Sequence, residues 1–236
     1  EGYRFFGKFD LSVMKRIASY GIANHMGNLL WGIPSYVLPI IAVNVLLPDL
    51  SGYFNTNWLL FTFLLIIPRS VTLSMFVEGS SDMEQLLPIA VRSMGMILIL
   101  SFPITVFLWF FGEFVLSIFG EDYATVDTLH ILLLSVVPFA INSVFFVMLR
   151  VQKQLTLLVF YSGFVAGGVV FFIWLLADPT AMEGIATGWL IGHSIPAALI
   201  TLWVVYAWFT REKTQPIEAP SSPASDASTP SPAVAD

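Results

Sequence analysis

The sequence predicts an all-α membrane protein with six transmembrane helices. Hydrophobic residues make up 57% of the 236-residue chain, and charged residues only 11%, against about 25% in soluble domains. The mean hydropathy of +0.82 is correspondingly high. Six apolar runs are separated by short polar segments, and each approaches or exceeds the roughly 20 residues that a helix needs to cross a bilayer.

Composition also argues against several classes of site. The chain has no cysteine, which excludes disulfides, thiol nucleophiles and cysteine-ligated metals. The three histidines, His25, His130 and His193, are too far apart in sequence to suggest a metal centre. The net charge is −6, so a basic nucleic-acid surface is not expected. Without paired carboxylates or a sizeable aqueous domain, we expect neither an enzyme nor a cofactor.

The chain opens with an amphipathic, basic segment over residues 1–16, which predicts an interfacial helix on the cytoplasmic side. It starts Glu-Gly-Tyr-Arg, with no Met and no signal peptide, so we expect a later part of a longer protein or an excised piece. The first span is predicted over residues 17–47. It is longer than a minimal crossing, and Pro34 and Pro39 give a reason for a kink.

One face of this first span carries small and polar residues at helical spacing. Such a face packs on protein or lines water rather than lipid. Its members are Gly21, Asn24, His25, Asn28, Gly32 and Ser35. For His25, a hydrogen bond to a neighbouring helix is the alternative to a role in a site, whereas His130 and His193 are expected to be structural.

The second span, predicted over residues 53–77 after a turn at 48–52, contains Pro68 and Arg69 inside its apolar run. An arginine within the membrane costs about 2.5–3.5 kcal/mol on insertion scales, so it usually has a function. A polar stripe turned away from lipid is predicted on one helical face, at Asn55, Thr62, Arg69 and Thr72. The alternative is that Arg69 snorkels to the cytoplasmic interface.

The remaining chain supplies four more spans and a tail rich in Pro, Ser and Ala, for which we predict disorder. The predicted spans are 94–111, 129–148, 155–177 and 184–208, and the tail is 210–236. Glycines four residues apart in the last two spans predict close helix packing; they are Gly163 and Gly167, then Gly184, Gly188 and Gly192.

The distribution of basic residues predicts the orientation. The turns after spans one, three and five contain acidic residues but no Lys or Arg. The basic residues outside the spans fall on the other side: Arg4, Lys8, Lys15, Arg16, Arg92, Arg150, Lys153, Arg211 and Lys213. The positive-inside rule therefore predicts a multi-pass protein of the cytoplasmic membrane with both termini in the cytoplasm.

The order of motifs resembles a known family over about residues 10–210. The motifs are SGYFN at 51–55, IPRSV at 67–71, IFGEDY at 118–123 and MEGIA at 182–186. Together with their spacing across six spans, they resemble the C-terminal half of the oligosaccharide/polysaccharide (Wzx-like) flippases. That family belongs to the superfamily of the MATE multidrug exporters and the lipid II flippases.

The resemblance implies a six-helix lobe of a MATE-like flippase, whose partner would be the missing N-terminal lobe or a second copy. Its cargo would be a lipid-linked oligosaccharide, a polyprenyl pyrophosphate carrying sugars. The first two helices of each lobe line the central cavity in that family. This implies that Arg69 binds the pyrophosphate. The remaining polar residues would line the cavity for substrate: Asn24, His25, Asn28, Asn55, Thr62 and Thr72.

Two other functions stay open. A MATE-type drug or cation antiporter would need a membrane-embedded carboxylate, and no Asp or Glu falls at mid-depth in any predicted span. An inactive half-transporter or scaffold is the other alternative, because a single lobe cannot alternate access without a partner.

Overall fold

A computed structural model describes residues 11–212. Residues 1–10 of the predicted lead-in (1–16) and residues 213–236 of the predicted tail (210–236) lie outside this range. Eight α-helices follow one another in the described range, with a short 3-10 turn at Glu121–Tyr123. The helices are α1 Leu11–Val45, α2 Pro48–Leu64, α3 Ile66–Ser81, α4 Leu86–Ser117, α5 Asp127–Leu134, α6 Val136–Val151, α7 Leu155–Leu176 and α8 Glu183–Glu212.

These helices form six segments that are long and apolar enough to cross a membrane. The second segment consists of α2 and α3 and the fourth of α5 and α6, while each of the others is a single helix. The predicted fold class, an all-helical membrane protein with six spans, is therefore confirmed.

Two predicted continuous spans are each interrupted by one residue. The interruptions fall at Leu65 and Ser135, each three residues before a proline, Pro68 or Pro138. Proline has no N–H group and its ring crowds the carbonyl four residues earlier, so the regular helix loosens just before it. Helices α1, α4 and α8 also contain prolines but are not interrupted. These prolines are Pro34 and Pro39 in α1, Pro103 in α4 and Pro196 in α8.

Several predicted boundaries also differ from the structure. Residues 48–52 are the first turn of α2 rather than a separate turn, because Pro48 occupies the start of a helix, where no N–H partner is needed. Arg92 lies inside α4, which is longer than the predicted 94–111. Arg150 belongs to the last turn of α6 rather than to a loop.

The chain divides into two units, Glu1–Thr201 and Leu202–Asp236, and the described part of the second is helical. The core of the first unit is built around Trp189, Phe54 and Phe61, all fully buried. Large apolar side chains such as Phe110 and Trp174 are exposed. Their exposure suits a surface that faces hydrocarbon rather than water.

The glycines of α8 allow close contact with α7. A Cβ atom on Gly188 would lie 2.5 Å from the Cα and backbone N of Ile173, and one on Gly192 would lie 2.8 Å from Cγ2 of Val169. By contrast, no described atom lies within 4 Å of a Cβ placed on Gly167. The packing prediction is thus confirmed for Gly188 and Gly192 but wrong for Gly167.

We predict that Gly188→Ala destabilises the bundle, because the added methyl group meets backbone that cannot rotate away. The expected cost is about 1–3 kcal/mol, typical of overpacking. Gly167→Ala is the matched control, and its stability should be unchanged or slightly higher, since alanine favours helix over glycine. Thermal unfolding of the purified variants in detergent measures both, and equal stability of the two would contradict the packing assignment.

Candidate functional site

A cleft of about 130 Å³ lies between α3 and α6. Arg69, Thr72 and Phe76 line it from α3, and Ser143 and Arg150 line it from α6. The side chain of Trp31 from α1 also lines the cleft and stacks on Phe146 of α6, with ring centroids 5.0 Å apart. The lining residues of α3, and likewise those of α6, are three, four or seven positions apart, which is the spacing of one helical face.

The guanidinium of Arg69 reaches α1. Its Nη2 donates a hydrogen bond of 3.3 Å to Oγ of Ser35, and the side chain is otherwise exposed. Ser35 is a neutral acceptor, so it orients the guanidinium without neutralising its charge. Arg69 therefore brings an uncompensated positive charge to the cleft.

Arg150 brings a second positive charge to the same cleft. Its Cζ lies 4.3 Å from the ring centroid of Phe76, which is cation–π geometry. Its Nε is buried and has no hydrogen-bond partner among the described residues. The sequence analysis used Arg150 only for orientation. The signal for a site was its seven-residue spacing from Ser143, which places both residues on one face of α6.

Among residues 11–212, no carboxylate lines the cleft. Within residues 11–212, the structure shows a salt bridge between Arg92 and Glu78, at 2.6 Å and with both side chains exposed. The Asp and Glu residues of this range lie between helices or within five residues of a helix end, the deepest being Glu113 of α4. The charge of the cleft is thus positive, and acids are confined to the ends of the spans.

Of the seven predicted site residues, the structure brings Arg69 and Thr72 together in the cleft. The hydroxyl of Thr72 donates to the carbonyl of Pro68 at 2.7 Å. Asn55 and Thr62 belong to α2 and do not line the cleft. Asn55 donates to the carbonyl of Ser51 and Thr62 to that of Leu59, both at 2.7 Å.

The three predicted residues of α1 lie on a different surface. His25 and Asn28 are exposed, and Asn24 is half-buried with its Oδ1 unpaired among the described residues. Helix α1 packs on α7 at Gly27, where a Cβ would lie 3.0 Å from the side chain of Leu158. A role for these three residues in substrate binding stays a prediction, as it does for the other four.

A buried polar network ties α6, α7 and α8 together away from the cleft. Nδ2 of Asn142 donates to the backbone carbonyl of His193 at 2.8 Å, and the hydroxyl of Tyr161 donates to Oδ1 of Asn142 at 2.9 Å. The ring of His193 packs against Trp189 and Phe139. His130 stacks on Trp109, with ring centroids 4.2 Å apart. These contacts suit the structural role expected for both histidines, which stays a prediction.

We predict that Asn142→Leu lowers the free energy of unfolding, because it leaves the half-buried hydroxyl of Tyr161 without its acceptor and removes the hydrogen bond from α6 to the carbonyl of His193 on α8. The expected loss is about 1–3 kcal/mol. Asn44→Leu is the control, since Asn44 is exposed and bonds only within its own helix. Unfolding in detergent should separate the two variants; if they unfold alike, the network does not hold these helices together.

These features define a multi-pass membrane protein with a cationic cleft inside one helical bundle. More particularly, its fold is that of one lobe of a MATE transporter. It is similar to the crystal structure of a MATE proline-to-alanine mutant, with a TM-score of 0.70, 16% identity, 90% of this chain covered and 50% of that one. It is also similar to a MATE structure in complex with MaL6, with a TM-score of 0.68 and the same identity and coverage.

The chain thus spans half the length of the MATE structures it matches. No family model and no curated protein matches it.

Proposed function

We propose that the chain is one lobe of a transporter that flips a lipid-linked oligosaccharide, a polyprenyl-pyrophosphate glycan, across the cytoplasmic membrane for surface polysaccharide synthesis. The observation that carries the proposal is Arg69, a cation within a membrane-spanning segment that lines a cleft and has no acidic partner there.

The chemistry of the cargo calls for such a cation. A diphosphate cannot cross about 30 Å of hydrocarbon unaided, because its charges would lose their hydration. A guanidinium offsets that loss, and its planar donors match the oxygens of a phosphate in pairs. Arg69 is assigned to the diphosphate, and Thr72 lines the same cleft.

The sugars of the cargo need a polar surface of their own. The exposed polar face of α1, with Asn24, His25 and Asn28, is proposed to provide it, together with Asn55 and Thr62 of α2. This surface would face the other lobe, which is the missing half of the same protein or a second copy. Rocking of the two lobes about their interface would then expose the cargo alternately to each side, with both termini in the cytoplasm.

The fold fits a MATE-type drug or cation antiporter equally well. Coupling to a cation would call for a carboxylate inside the membrane. In the described helices the acids lie near the ends of the spans, whereas the cleft contains arginine. The sign of the charge therefore favours an anionic cargo.

Replacing Arg69 tests the proposal. In the full-length protein, Arg69→Ala and Arg69→Gln should reduce surface glycan by about tenfold or more, because the diphosphate loses a charge-assisted hydrogen bond. Arg69→Lys keeps the charge but not the paired donors, so export should be intermediate. Surface glycan is quantified at matched levels of membrane protein.

The control is Arg92→Ala, which removes the same side chain from an exposed salt bridge outside the cleft. Export should be unchanged in this variant, since exposed ion pairs contribute little. Normal export by Arg69→Ala at normal protein levels would remove the phosphate role.

A further inference from the structure

We infer that the cleft between α3 and α6 is a diphosphate site in which Arg150 is the second cation beside Arg69. The inference rests on the proposed function and goes beyond it in two ways. It places the headgroup against α6, a helix outside the predicted polar stripe, and it assigns a binding role to a residue at the end of that helix.

The first argument is the unbalanced charge of the cleft. Arg150 makes no ion pair with any described residue, and its buried Nε has no acceptor there. Its guanidinium is held against Phe76, an interaction that fixes its position but leaves its charge uncompensated. Two such cations in one cleft repel each other, and an anion placed between them would relieve the repulsion.

The second argument is the spacing of the two cations. Arg69 and Phe76 are seven residues apart on α3, which is a rise of about 10 Å. Because Arg150 lies over Phe76, the two arginines enter the cleft at different levels. Two linked phosphates offer each guanidinium oxygens of its own, which suits two cations that reach the cleft from different levels.

The third argument is the character of the walls. Apart from the arginines and the hydroxyl groups of Thr72 and Ser143, the cleft is lined by aromatic and aliphatic side chains. Both hydroxyls already donate to backbone carbonyls of their own helices, at 2.7 Å each. The charged donors available to an anion therefore come from the two arginines, and the indole N–H of Trp31 is a neutral donor in the same lining.

The test measures binding without transport. Full-length protein in neutral phosphatidylcholine vesicles is titrated with polyprenyl diphosphate and with polyprenyl monophosphate of equal chain length. The variants are Arg69→Gln, Arg150→Gln and Arg150→Lys, with Arg92→Gln as the matched control. Thermal unfolding of each variant shows whether it is folded. Competition by inorganic diphosphate and by phosphatidylglycerol identifies the source of the bound group.

The inference expects the diphosphate to bind about tenfold or more tightly than the monophosphate. Arg150→Gln should weaken diphosphate binding by a similar factor and abolish the preference for diphosphate over monophosphate. Arg150→Lys should retain part of that preference. Arg92→Gln should retain all of it. Competition by inorganic diphosphate would show that the headgroup suffices for recognition. If only the polyprenyl form competes, the diphosphate is recognised together with its lipid.

Wild-type affinity in a folded Arg150→Gln variant would overturn the inference, as would displacement by phosphatidylglycerol as effective as by the diphosphate lipid. In either case the proposed function survives if the Arg69 variants still lose surface glycan. The inference and the proposed function fail together only if the wild-type protein does not bind the diphosphate lipid and the Arg69→Ala variant supports normal export of glycan.

Discussion

The structure depends on how two proline-interrupted helices satisfy their backbones within an apolar bundle. Hydrocarbon offers no hydrogen-bond partners, so irregular backbone is tolerated at membrane depth only where protein surrounds it. Both interruptions meet this condition, because Leu65 and Ser135 are completely buried. The hydroxyl of Ser135 also accepts a hydrogen bond of 3.0 Å from Nε1 of Trp189. The two walls of the cleft, α3 and α6, are the segments that follow these interruptions.

The charges of the bundle are arranged in two contrasting ways. Arg92 forms a bidentate contact with Glu78 at an exposed position, where water already solvates both groups. Arg69 and Arg150 lie in the cleft, inside or at the end of membrane-spanning segments, and no carboxylate of the described residues lines it with them. A folded protein avoids unpaired charge in such places unless something else compensates it. Loss of the exposed ion pair between Arg92 and Glu78 should therefore cost little stability. The charges of Arg69 and Arg150 need an anionic partner from outside the bundle.

The sequence predicts the number and type of the spans because hydropathy and length are local properties. Arg69 was found in the same way, since a charge within an apolar run stands out from its neighbours. Of the predicted polar stripe, the structure places Arg69 and Thr72 in the cleft and Asn55 and Thr62 outside it, and its role in substrate binding stays a prediction. Its periodicity assumed one continuous helix, but the interruption at Leu65 leaves Asn55 and Thr62 on α2 and puts Arg69 and Thr72 on α3.

The spacing of Arg150 from Ser143 is a weak signal in the sequence, because a basic residue at a helix end is also what the positive-inside rule produces. Only the packing of α3 against α6 shows that its guanidinium meets Phe76 instead of facing the headgroups alone. The same applies to the glycines. Gly167 and Gly188 look alike in sequence, yet only Gly188 faces a neighbouring backbone closely enough to exclude a side chain.

The cleft and the polar face of α1 meet where Ser35 contacts Arg69 and Trp31 lines the cleft. Nearer the N-terminus of α1 the contacts differ. Gly27 packs on α7, while His25 and Asn28 are exposed. Under the proposed function, this arrangement separates the two parts of the cargo. The cationic cleft would take the diphosphate and the open polar face would take the sugars. Charge would then set the affinity for the carrier, while the glycan would be selected by neutral hydrogen-bonding groups that a second lobe completes.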